Sequence, residues 1–125
     1  MNEDIQSTGA THYSLIVQYR VDGWGSPADL AKRHRLEEFL DACLDESDNG
    51  YCDGGDIGSG SINIFLEEVL DPQRACDSMV AELQESGDLE GAVIALSLDP
   101  DRTKEEGPFH TVLWPKDYRG DFSIL

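Results

Sequence analysis

Between Asp45 and Asp56 the chain carries oxygen-bearing side chains at the spacing of a calcium loop. Counted from Asp45, the first, third, fifth, ninth and twelfth positions are Asp45, Ser47, Asn49, Asp53 and Asp56. Gly50 stands sixth, where such a loop bends sharply, and Tyr51 seventh, where a backbone carbonyl is the ligand. Carboxylate, hydroxyl and amide oxygens suit a hard divalent cation, and a helix-forming segment leads into the run. The outgoing side does not fit. Ile57 passes into Gly58-Ser59-Gly60 rather than into a second helix, and the twelfth position is aspartate in place of the longer bidentate glutamate. The competing expectation is an acidic, glycine-rich hairpin that satisfies its own backbone through Asx-type turns.

Other chemistry is thin. Gly54, Gly55, Gly58 and Gly60 precede a strand rather than a helix, no lysine lies nearby, and Asp53 and Asp56 would repel a phosphate. His12, His34 and His110 are scattered along the chain, and Ser59 and Ser61 lack the strand-to-helix elbow of a hydrolase. Cys43, Cys52 and Cys76 show no metal or redox spacing and read as reduced, structural thiols. No nucleophile, base and orienting group come together, so an enzyme is the weakest of the function classes.

Charge is the strongest signal. The 125 residues hold 26 acids against 9 lysines and arginines, a formal net charge of −17. A field of that sign repels nucleic acid and anionic membrane and favours a basic protein partner. It is also uneven: from Leu36 to Gln73 there is no lysine or arginine, while Glu37, Glu38, Asp41, Asp48, Asp53 and Asp56 are among the acids there. These six are the candidate partner-binding residues. The chain has no membrane-length apolar run, and its start lacks the pattern of a signal peptide. A cytoplasmic protein is expected.

The elements that must position these residues emerge from periodicity. Tyr13, Leu15, Val17, Tyr19 and Val21 alternate with Ser14, Ile16, Gln18 and Arg20, which predicts a strand with one apolar face. Ser26-Pro27 opens a helix whose stripe is Leu36, Phe39, Leu40, Cys43 and Leu44. A hairpin is expected next, its first arm short, irregular and near the sheet edge, its second running from Ile62 to Val69. Asp71-Pro72 opens a second helix carrying Ala75, Cys76, Met79, Val80 and Leu83, which stops at Gly87. Residues 92–98 read as a strand, 99–108 as a charged loop, and His110 to Trp114 as one further short strand. Residues 1–10 read as a frayed polar terminus, and the apolar end Phe122-Ser-Ile-Leu125 as a segment able to dock.

The order β-α-β-β-α-β is that of a ferredoxin-like α+β sandwich: two helices on one face of an antiparallel sheet, here with an added C-terminal strand or arm, as one domain. Right-handed crossovers put the first and third strands in the centre. The face away from the helices would then carry Ile16, Gln18, Arg20 and Phe65, a polar surface with an apolar middle. A ligand, the C-terminal segment or a second copy of the chain would suit it. Trp24 and Trp114 are expected to pack at opposite strand ends.

The run Asp53-Gly-Gly-Asp-Ile-Gly-Ser-Gly, followed by an apolar strand and a helix opened by Asp71, resembles small uncharacterised bacterial ferredoxin-like domains. In those, an Asp-Gly-x-Asp/Glu-x-Gly-x-Gly hairpin precedes the second helix. The resemblance covers about residues 50–98. It implies the fold and carries no reaction. Homodimers are common among ferredoxin-like domains, and by that analogy one is expected here. The function expected is that of an acidic binding protein, of which an immunity-type inhibitor of a basic toxin is one form. The alternative is a small-ligand or calcium-binding domain using residues 45–60.

Overall fold

A computed structural model describes residues 12–58, 60–97 and 110–118. The elements are β1 (Tyr13–Arg20), α1 (Pro27–Glu46), β2 (Tyr51–Gly58), β3 (Ser61–Val69), α2 (Pro72–Ser86), β4 (Val93–Ser97) and β5 (His110–Trp114). The expected terminus 1–10, loop 99–108 and apolar end 122–125 lie outside the described residues.

Local chemistry sets the helix starts. The Ser26 hydroxyl accepts from the Asp29 N–H at 3.1 Å while the Ser26 N–H donates to the Asp29 carboxylate at 2.9 Å, a reciprocal capping box ahead of Pro27. The Asp71 carboxylate accepts from the Arg74 N–H at 3.1 Å and opens α2.

The sheet order is β2-β3-β1-β4-β5, with every neighbouring pair antiparallel. This is the ferredoxin-like arrangement, its first and third strands central, with β5 added beside β4. Leu15, Val17, Tyr19, Ile62, Ile64, Leu66 and Ile94 meet Leu36, Leu40, Leu44, Ala75, Met79 and Leu83 in one buried cluster. Each fully buried Leu or Ile contributes about 1.5–3 kcal/mol, so this layer dominates the stability of the fold.

Two expectations are corrected. The first arm of the hairpin is not short: β2 has eight residues and pairs with β3 from Tyr51↔Glu67 to Gly58↔Ser61. A register shift between Cys52 and Gly55 absorbs its irregularity, so the glycines bend the strand without ending it. Trp24 is not packed away but 77% exposed, because the Gly23-Trp24-Gly25 turn belongs to neither the strand's inner face nor the helix stripe. Trp114 does pack against the core, as one of its partly buried neighbours.

Candidate functional site

The acidic run divides into side chains held inward and side chains left in solvent. α1 lies along β2, the sheet's edge strand, and three of its charged residues turn toward that strand. The Asp41 carboxylate accepts from the Cys52 N–H at 2.8 Å. Two turns earlier, the Arg33 guanidinium donates to the Gly55 carbonyl, and its Nε stands 3.4 Å from Glu37 Oε2. Backbone groups on a sheet edge are a template for unwanted pairing, and here α1 side chains occupy two of them.

The glycines serve this approach. A Cβ on Gly55 would come within 2.3 Å of the Asn63 carbonyl oxygen and 2.9 Å of Glu37 Oε2. A Cβ on Gly58 would lie 2.7 Å from Trp24 Cε3. Only glycine fits at either position. The glycine-rich motif thus lets a helix, a neighbouring strand and an indole come close to one edge strand.

Of the six partner-binding candidates, Glu37 and Asp41 are therefore spent on internal contacts and only partly exposed. Glu38, Asp48 and Asp53 are exposed, together with Asp45, Glu46 and Glu68. Asp56 and Asp71 are exposed too, while accepting hydrogen bonds from the Asn63 amide and the Arg74 N–H. Sequence reasoning could have separated Glu37 and Asp41 from the rest. They lie four apart on the helix and recur with Arg33 at the same spacing, so one face of α1 presents all three. Asp45 continues the spacing but lies in the last turn and is exposed.

The six calcium-loop residues have separate duties. Asp45 is exposed in the last turn of α1, and Ser47 caps that helix. Asn49 is buried: its side-chain oxygen accepts from the Leu70 and Asp71 N–H groups, both at 2.9 Å, and its amide donates to the Asp71 carbonyl at 3.0 Å. That amide joins the turn after α1 to the start of α2. Tyr51, Asp53 and Asp56 belong to extended β2, where three residues of strand span roughly 10 Å. Among the described residues, no group of three or more His, Cys, Asp or Glu is placed to hold a metal ion.

Desolvation and the negative charges of Asp53, Glu68 and Glu67 push the exposed Tyr51 phenol above its ordinary range. Burial raises the thiols of Cys43 and Cys76 to about 11, which keeps both as protonated core residues at neutral pH.

The open sheet face is assembled as its register requires. Ile16 pairs with Phe65, Gln18 with Asn63 and Arg20 with Ser61. The four predicted residues therefore share one face. Asn63, fully buried, orders its polar part: its oxygen accepts from Gln18 Nε2 at 2.9 Å, and its amide donates to Asp56 at 3.0 Å and to the Ser61 hydroxyl at 3.1 Å. Ile16 is 3% exposed, so this part of the face is less open than alternation alone suggests.

The short basic run at the start of α1 is likewise engaged. Lys32 Nζ stands 4.2 Å from the centre of the Tyr19 ring, and Arg35 forms two 3.0 Å hydrogen bonds to Asp88. Asp88 is held below the usual carboxylate range, chiefly by that hydrogen bond. The positive charge that precedes the acidic run is thereby engaged by partners within the chain.

Among the described residues no helix is long and apolar enough to cross a membrane. Comparison with protein-family models, with curated proteins and with solved structures finds no match. The ferredoxin-like assignment rests on the strand order and pairing alone.

Proposed function

We propose that the chain is a binding domain whose outward acids engage a basic protein partner, in the manner of an immunity-type inhibitor or regulator. The observation that carries this reading is the exposed set Glu38, Asp45, Glu46, Asp48, Asp53, Asp56 and Glu68, in a stretch that holds no lysine or arginine from Leu36 to Gln73. Complementary charge steers encounter, raises association rates and weakens as salt screens it. Most of these acids also sit on a helix or a paired strand, so a partner that docks there need not order them.

The test is capture of a basic protein at low salt by the parent chain and by a variant carrying Glu38→Gln, Asp45→Asn, Glu46→Gln and Asp53→Asn. The expected result is a partner released by rising salt and retained poorly by the variant. Capture that is indifferent to salt, or equal for the two chains, would reject the reading.

A further inference from the structure

We propose that Trp24 is the anchor of this interaction, its open indole face receiving an arginine side chain of the basic partner beside the carboxylates of Asp22 and Asp29. This rests on the acidic-surface reading and adds the point of contact to it.

Trp24 is the most exposed of the large apolar side chains among the described residues, at 77%, with Leu30 nearby in sequence at 41%. An indole offers a large, rigid contact surface with a polar edge, and tryptophan is enriched where protein partners meet and among the residues that carry their binding energy. Nor is it loosely hung. The Gly25 N–H donates to the Asp22 carbonyl at 2.9 Å, the Gly60 N–H to the Gly23 carbonyl at 2.7 Å, and the Val21 N–H to the Gly60 carbonyl at 3.0 Å. These bonds tie the turn to the β2–β3 connection. The six-membered ring of the indole lies against Gly58, whose missing side chain is the space it uses. The ring is thus held before any partner arrives, and a preorganised aromatic with few torsions loses little entropy on binding.

Charge selects the occupant. Beside this turn Arg20, Val21, Asp22 and Asp29 line a depression of about 510 Å³, two carboxylates to one guanidinium. Trp24 is not in its wall; the link between them is Asp22, two residues before the ring, and Asp29, whose Cβ a side chain on Gly25 would meet at 3.6 Å. The Asp29 side chain is fixed there by the bond it accepts from the Ser26 N–H. An indole face attracts cations, and arginine both stacks on the ring and donates to carboxylates, which lysine does less well.

The experiment uses the full chain with Trp114→Phe, so that Trp24 is its sole indole, titrated with short oligoarginine and oligolysine peptides at low salt. Oligoarginine is expected to change Trp24 emission and to bind more tightly than oligolysine. Trp24→Ala should weaken oligoarginine binding about fivefold, with Trp24→Phe keeping most of it and the salt dependence unchanged. Binding by Trp24→Ala within about twofold of the parent, or Trp24 emission unmoved at saturation, would overturn the anchor while leaving the acidic surface standing. Failure of the parent to bind oligoarginine in a salt-dependent way would overturn both.

Discussion

Glu37 and Glu38 are adjacent in the chain and carry the same group, yet they belong to two different regions of this molecule. Glu37, with Arg33 and Asp41, faces the edge strand β2 and is partly enclosed. Glu38, with Asp45, Asp48 and Asp53, stands in water. The inward region joins a helix to a sheet edge, whereas the outward one sets the field that a partner would meet. An acidic run is therefore not one surface. Helix geometry divides it, and a carboxylate that has found a backbone N–H is no longer free to find a partner's lysine.

The contrast can be tested by substitution, and the largest effect is expected at Gly55, where the two regions meet. Gly55→Ala places a carbon 2.3 Å from the Asn63 carbonyl oxygen, and the helix, the strand or both must move. A loss of about 3 kcal/mol is expected in urea unfolding. Retention of the parent midpoint would show that α1 does not press on β2 as described.

Asn49→Ala comes next. It strands the Leu70 and Asp71 N–H groups and should cost about 2–3 kcal/mol, against less than about 0.5 kcal/mol for Asp48→Asn next door, where asparagine suits the positive φ of 55° as well as aspartate does. Similar unfolding midpoints for the two would remove the distinction between structural and surface residues in the turn. Asp41→Ala removes the acceptor of the Cys52 N–H and should cost about 1–2 kcal/mol, while Glu38→Ala leaves stability nearly unchanged. Amide exchange at Cys52, faster in the first variant only, is the direct readout.

A pH series tests a second inward-held acid. Asp88 has a depressed pKa in the fold, so its pairing with Arg35 contributes stability that is present above the unfolded value of about 3.9 and is lost as pH falls through the lower folded value. The difference in Tm between the parent and Asp88→Asn should be full at neutral pH and shrink in that acid window. A difference independent of pH would mean that shape, not charge, explains it. The smallest stability effect belongs to the outward acids. Glu38→Gln with Asp53→Asn should change unfolding by less than about 0.5 kcal/mol while slowing association with a cationic peptide.

Much of the fold is legible in the residues. Strand β1 comes from alternation, the helix starts from Ser26-Pro27 and Asp71-Pro72, and the shared face of Ile16, Gln18, Arg20 and Phe65 from period two. The candidate site is legible only as composition. The calcium-like spacing of Asp45 to Asp56 counts residues along a chain, and it cannot anticipate that Asn49 turns inward to Asp71 or that 51–58 runs extended. Trp24 reads as a packing residue because large rings usually are. The signal against that is the glycine on each side, which takes the position out of both apolar patterns.

Element order and helix caps depend on neighbours three or four residues away, and for that reason the linear chain was enough to specify them. Net charge is likewise a property of composition, and short connections constrain strand order closely enough to name the fold class. Three features needed the folded molecule: which acids are free and which are held, why Gly55 and Gly58 are glycine, and that the Trp24 indole lies open against Gly58. The contacts behind them join different elements, 11 residues apart from Asp41 to Cys52 and 22 from Arg33 to Gly55, and the ring of Trp24 reaches Gly58 across the sheet end. Local pattern has no access to where two such segments meet. That is set by how the buried layer packs as a whole.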